Sequence, residues 1–406
     1  MAIGATRKRD LRTGRSLWLD SAGLSVPTRK LSAPLDVDVV VVGAGISGAF
    51  MAHELAPDFS VAVLDRRMPL MGSTVASTSL LQWELDVPLT VLGGQIGEAR
   101  ASRVYRRSRA AVDDLIGMVR KERIACGLKA KDSLYLAGNA YGARALRQEA
   151  EARADLGLES GFLHPAQLRE RFGIDRTGAI LSGGSASADP ARLAAGLLRR
   201  AVRRGARIFA PVEVIETLRG DGHVSLVNSA GVEIRARHAV FCCGYEFPKG
   251  IPTDGAEIVS TWALASKPLA HAPAWLARTL VWEASEPYLY CRTAIDGRIV
   301  VGGEDENSSG RHADPKALGP KSRAIARKLK ALIPDLDVEV DYAWAGAFGQ
   351  SATSMPLIGA VPGMPGCHAV MGFGGNGITY SVIASQVVSA AIRGAQDPDS
   401  ALYALT

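Results

Sequence analysis

The sequence predicts an α/β protein in which a doubly wound, parallel-sheet domain interleaves with a smaller α+β domain built on an antiparallel sheet. Three observations carry that prediction. Residues 37–42, Val-Asp-Val-Val-Val-Val, form the β-branched run expected of a strand buried on both faces, and a glycine turn, a short helix and a second strand at 60–64 follow it. A second glycine-rich loop at 372–377 leads into an apolar helix near the end of the chain, with no strand after it. Between these lie short alternating runs separated by hairpin signals, among them Gly220–Gly222, 229–231 and Asp296-Gly297.

Taken in order, residues 1–36 read as an extended arm broken by Pro27 and Pro34. Residues 92–126 read as one long helix or two, and 143–156 and 165–172 as shorter helices. Asp189-Pro190 opens a helix reaching about residue 204, because Asp is a good N-cap and Pro suits the first helical position. Strands are expected at 207–214, 223–228, 232–236 and 238–243, and again at 258–266, 279–283, 288–293 and 298–302. A helix is expected over 320–332, a strand at 368–371, and a last helix to about residue 393. The expected division is an arm at 1–36, one domain from 37–85, 175–250 and 345–406, and the other from 86–174 and 251–344.

With 406 residues and 47% hydrophobic content the chain can bury a large core. Of the formal charge of +6, the first 36 residues carry +4, so the body is nearly neutral and the basic arm reads as a solvated tail or surface strap. Arg100, Arg103, Arg106, Arg107 and Arg109 mostly share one helix face, a solvated surface or a lure for an anion. No basic stripe with interleaved aromatics points to nucleic acid. The five cysteines show no CxxC or zinc spacing, so no metal site is expected. Those cysteines, the missing secretory pattern and the missing membrane-length apolar run are read as cytoplasmic.

Three motifs carry chemistry. Gly43-Ala44-Gly45-Ile46-Ser47-Gly48 is a GxGxxG that follows a strand, opens a helix and precedes Asp65 by 17 residues. Gly43 permits the tight turn, Gly45 the approach of a pyrophosphate, and Gly48 close helix–strand packing, while Asp65 accepts from ribose hydroxyls. This is a Rossmann-type dinucleotide site. Arg66 and Arg67 leave NADP open, since arginine accommodates a 2′-phosphate. The second motif is the small and hydroxyl-rich run at 72–79, with Ser73, Thr74, Ser77 and Thr78 as donors to phosphate or ribitol oxygens. The third is the loop Gly374-Gly375-Asn376-Gly377-Ile378, a helix N-terminus suited to the far end of the same long cofactor, FAD, where it would stabilise an anionic reduced flavin.

Together these segments resemble the D-amino-acid oxidase superfamily of FAD oxidoreductases, with glycine, sarcosine and γ-glutamylputrescine oxidases among its members, over about residues 36–393. The resemblance implies a Rossmann-like FAD-binding domain, an adenine contact at Val212, a turn near the cofactor at Cys243-Gly244, and a Pro-x-Ile-Gly box near the isoalloxazine at Pro356. It implies oxidation of a C–N bond in an amine or amino acid by hydride transfer to the flavin, with O2 or another acceptor reoxidising it. Substrate-contact candidates are Tyr245, Trp262, Tyr288, Tyr290, Arg292 and Gln350, although Tyr288 and Tyr290 share a strand face and would serve a core equally well. Many relatives carry a carboxylate-clamping arginine before the Pro-x-Ile-Gly box. Here residues 347–351 contain none, so a carboxylate substrate depends on Arg292. No Cys or His lies in 68–90 or 344–366, where some relatives attach flavin, so non-covalent FAD is expected. A flavin dehydrogenase feeding a quinone or carrier protein, an NAD(P) enzyme, and a flavoprotein subunit without turnover are the alternatives. Oligomeric state is left open.

Overall fold

The computed structural model describes residues 2–253 and 255–405. Two sheets organise it. The first contains β1 (Ala2–Gly4), β3 (Leu35–Val42), β4 (Val61–Leu64), β9 (Arg207–Phe209), β10 (Val214–Arg219), β11 (Val224–Asn228), β12 (Glu233–Phe241), β18 (Leu357–Ala360) and β19 (Cys367–Met371). Its centre is parallel: β9-β4-β3-β12-β19, with Val39 opposite Val61 and His238, and Phe241 opposite Ala369. Strand β12 is shared. Its first half pairs antiparallel with β11 and its last three residues pair with β19. One continuous β12 stands in place of the two separate strands expected at 232–236 and 238–243, with Arg235 and Arg237 on its exposed face and Ile234 and Ala236 on the buried one.

Helices α1 (Ile46–Leu55) and α8 (Gly377–Ile392) pack on this sheet, and α1 packs against both α8 and α6 (Pro190–Arg203). Val39, Val40 and Val41 of β3 and Val61 and Val63 of β4 are buried there, as the run of valines requires. The N-cap reading of α6 holds: the Asp189 carboxylate accepts from Ala191 and Arg192 amides at 2.9 Å.

The second sheet runs β2 (Arg12–Arg15), β17 (Val340–Gln350), β13 (Glu257–Ser266), β16 (Ile299–Glu306), β15 (Leu289–Thr293), β14 (Thr279–Glu283), β6 (Lys129–Leu136), β8 (Ala179–Ser187) and β5 (Leu80–Leu81), with β7 (Ser160–Leu163) beside β8. All its pairs are antiparallel except β14 with β6. Helices α4 (Ala143–Asp155), α5 (Pro165–Phe172) and α7 (Pro315–Leu332) accompany this sheet. Strand β8 and the end of β17 belong to this sheet, although both lie past the domain boundaries drawn at 175 and 345. The 92–126 segment is two helices, α2 (Leu89–Ile96) and α3 (Glu98–Lys121), divided at Gly97 with φ 89°. Two of the α3 arginines, Arg103 and Arg107, pair with Asp399 and Asp397.

Two expectations are corrected. Residues 1–36 are not a solvated arm. β1 extends the first sheet against β10, β2 extends the second against β17, and Ile3, Leu11, Leu17 and Trp18 are buried. Those apolar residues are scattered among the charges, so no periodic run announces them. Helix α7 begins at Pro315, five residues before Pro320. Asp314 caps it by accepting from the Lys316 amide at 2.9 Å, which repeats the Asp-Pro signal at residue 189.

Candidate active site and cofactor cradle

One long cavity crosses the molecule between the two sheets. At one end the turn after β3 meets Asp65 at the end of β4. The Ala44 amide donates to the Asp65 carboxylate at 2.7 Å, the Arg67 amide donates to its other oxygen at 2.8 Å, and Gly43 N–H reaches Leu64 O at 2.7 Å. Val212 N–H donates to Asp65 O at 2.6 Å, which brings the adenine-side residue to the same corner. Burial raises the Asp65 pKa, and the two amides and Arg67 hold it back. Gly48 does not line the cavity. A Cβ there would lie 1.8 Å from Gly43 O, so its role is to let α1 and the turn touch.

Arg66 and Arg67 line this end, yet both guanidiniums are engaged by Glu246: Arg67 reaches it at 2.8 and 2.9 Å, and Arg66 is also in direct contact. Neither is free to take a 2′-phosphate, so the structure favours a plain ribose and removes the reason to keep NADP open.

Residues 73–76 form one 3-10 turn beneath α1, with the Thr74 hydroxyl accepting from Ile46 N–H at 2.9 Å. The carbonyls that follow are held from behind. Trp344 Nε1 donates to Ala76 O at 2.8 Å, Trp18 Nε1 to Ser77 O at 2.7 Å, and Arg292 Nε to Thr78 O at 2.8 Å. Ser73, Thr74, Ser77 and Thr78 all line the cavity. The Ser73 and Ser79 hydroxyls are buried with no protein partner, as donors awaiting phosphate or ribitol oxygens would be.

The other end is walled by Gly374, Gly375, Asn376 and Ile378 at the start of α8, and by Tyr245, Tyr288 and Tyr290. Segment 82–86 fastens the glycine loop. Gly375 N–H donates to Asp86 at 2.9 Å, Asn376 Nδ2 to Glu84 O at 2.6 Å, and the Thr379 hydroxyl to Gln82 O at 2.8 Å. A contact between the Ser47 and Ser381 hydroxyls at 2.8 Å ties α1 to α8, joining the two ends of the cradle. Tyr288 and Tyr290 stack at 5.4 Å, and Tyr290 lies against Gly302, where a Cβ would meet its ring at 2.3 Å. Cys243 and Gly244 line the cavity beside Asp65 and Glu246.

Four expected site residues lie elsewhere. Arg292 is 2% exposed and spends its guanidinium on Thr78 O, Ala188 O and Thr293 O, above the Trp18 ring, so it supports the cofactor loop and cannot clamp a substrate carboxylate. Trp262 is core, with Lys321 over its ring at 4.6 Å. Gln350 is exposed at the end of β17. Pro356 is buried ahead of β18 and does not line the cavity. Sequence reading missed Asp86, Thr261, Trp282, Phe348 and Phe373, which line the same end. Only Asp86 left a trace, as the last polar residue of a stretch in which Gln82, Glu84 and Asp86 alternate with apolar neighbours.

A Rossmann-type turn, an acidic ribose acceptor, a hydroxyl-lined phosphate run and a distant helix N-terminus define a flavin-dinucleotide oxidoreductase. The comparisons agree. A family model described as FAD dependent oxidoreductase (DAO) matches residues 38–391, and the chain belongs to that family. The putative Rieske 2Fe-2S iron-sulfur protein YhfW of Bacillus subtilis is 22% identical over 395 residues, 95% of this chain and 74% of that protein. Among solved structures, glycine oxidase from Geobacillus kaustophilus superposes with a TM-score of 0.76 at 22% identity, covering 92% of this chain and 99% of its own. L-proline dehydrogenase from P. horikoshii gives 0.76 at 18% identity, covering 91% and 97%. At these identities the structural likeness shows the fold. The family supplies FAD as the cofactor, and the orphaned Ser73 and Ser79 hydroxyls fit it. Among the described residues no helix is long and apolar enough to cross a membrane, and no cluster of His, Cys, Asp or Glu could hold a metal.

Proposed function

We propose that the protein oxidises the C–N bond of an amine or amino acid and passes the electrons to O2, forming hydrogen peroxide. The single observation that carries this reading is the continuity of the cavity: the cradle that fits FAD opens, at its α8 end, onto a pocket walled by Tyr245, Tyr288 and Tyr290. FAD, when bound, supplies a two-electron acceptor for a C–H bond next to nitrogen, leaving an imine that water hydrolyses. The residues do the rest. Tyrosine and tryptophan faces hold the substrate and exclude water. Burial raises the Tyr245, Tyr288 and Tyr290 hydroxyls, so they stay protonated and act as hydrogen-bond donors rather than bases. The fold relatives include an oxidase acting on glycine and a dehydrogenase acting on proline, and both substrates are amines.

A second reading, a dehydrogenase serving a quinone or carrier protein, has one observation in its favour. Among the described residues no lysine or arginine lines the α8 end of the cavity, so no side-chain cation is placed there to stabilise reduced oxygen. Anaerobic mixing with a panel of amines and amino acids tests the first reading: bleaching of the flavin is expected, and a panel without any bleaching overturns it. Oxygen uptake by the photoreduced enzyme separates the two acceptors.

A further inference from the structure

We infer that the substrate is a cationic amine with no carboxylate beside its reacting carbon, recognised by Asp86 within an aromatic pocket at the α8 end of the cavity, with Asp305 adding negative charge from behind the pocket wall. This rests on the amine-oxidoreductase reading and narrows it.

Asp86 lies in the loop between β5 and α2, walled by protein but facing the open cavity. One oxygen takes the Gly375 N–H at 2.9 Å, and the other has no hydrogen-bond partner among the described residues. No cation contributes to its environment, and burial raises its pKa. Asp305, on β16, stands behind the pocket wall. Both of its oxygens are buried without a well-formed hydrogen bond, with the Thr261 and Tyr288 hydroxyls as their nearest polar neighbours. Those two hydroxyl residues line the cavity. Burial pushes Asp305 up to about 6, and Asp86 adds to the rise, so the two carboxylates share one field. Lys321 of α7 is the cation that opposes it. Its ammonium is committed to Glu306 at 2.8 Å and Glu304 O at 2.9 Å.

Asp86 presents an unpaired carboxylate to the cavity, and Asp305 is buried behind it with its one opposing cation, Lys321, committed elsewhere, so a bound cation is favoured there. The surroundings suit an ammonium group. Tyr288 and Tyr290 stack there, Tyr245 meets Phe373 edge-on, and aromatic faces attract cations. They do not suit a carboxylate. Among the described residues the only arginines lining the cavity, Arg66 and Arg67, sit at the far end bound to Glu246, and like charge at Asp86 and Asp305 repels an anion.

The test uses the FAD-loaded enzyme at pH 8, where Asp305 is ionised, titrated with benzyltrimethylammonium and with benzoate while flavin absorbance is followed. Saturable binding of the cation and none of benzoate is expected. Asp86→Asn keeps an oxygen for the Gly375 N–H but removes the charge, and should weaken cation binding by about thirtyfold or more. An intact flavin spectrum shows that the variant has kept its cofactor site. Benzoate binding as tight as that of the cation overturns the inference, as does an Asp86→Asn affinity within about twofold of wild type. Anaerobic bleaching with N-methylbenzylamine or putrescine but not glycine or proline supports it. Bleaching by the amino acids alone overturns it while leaving the amine-oxidoreductase reading intact.

Discussion

Gly48→Ala isolates the part of the glycine motif that works by packing. Gly48 touches no open space. A Cβ at this position would sit 1.8 Å from Gly43 O, 2.9 Å from Gly43 C and 3.4 Å from a Val41 methyl. Restoring an ordinary contact with Gly43 O requires a shift of about 1.6 Å, in a region where Val41, Ala44 and Ala49 are fully buried and leave no slack. Overpacking of this kind costs about 1–3 kcal/mol of fold stability. The same shift separates the turn from the α1 amides and loosens the 2.7 Å bond from Ala44 to Asp65. Losing one or two such bonds to the cofactor or its acceptor lowers FAD affinity by about ten- to a hundredfold. Urea unfolding of the apoprotein reads the first quantity, and quenching of flavin fluorescence on titration reads the second. A variant with unchanged stability and FAD affinity would refute the view that Gly48 acts through the helix–turn contact.

Three further outcomes are expected. Asp305 has a folded-state pKa raised from 3.8 to about 6, so its protonated form stabilises the fold in acid and that contribution is lost as pH rises through 6; Asp305→Asn apoprotein should therefore exceed wild type in urea by up to about 3 kcal/mol at pH 8, with the gap closing toward pH 4. Arg153→Met removes the partner of two buried carboxylates, Glu149 at 2.7 Å and Glu84 at 3.8 Å, and should cost about 3–5 kcal/mol in the same assay, with Glu149→Gln in the Arg153→Met background recovering part of it. FAD should leave with acid denaturation, because among the described residues the only cavity-lining cysteines, Cys242 and Cys243, lie at the Asp65 end and burial keeps their thiols protonated; protein that stays yellow after precipitation would contradict this.

What could be read from the chain and what could not divides along sequence separation. The turn after β3, Asp65, the hydroxyl run and the α8 loop are contiguous stretches, and each position in them has a local reason: a φ of 113° at Gly43, a close approach at Gly48, donors at a helix start. Such requirements act over a few residues, so they are written in order along the chain. The family and its FAD followed from them. Tertiary structure alone decided what the other residues do. Arg292 and Trp262 have the chemistry of a substrate site, yet one supports Thr78 O and the other is core, because a strand's alternation does not say what its neighbour presents. Asp86 and Asp305, 219 residues apart in number, share a field only because the loop before α2, fastened to the start of α8, is brought near β16 by the fold. The scattered apolar residues of the first 36 positions became structural only when both sheets were there to receive them. Burial and charge at a site are sums over many distant segments, and no local pattern encodes such a sum.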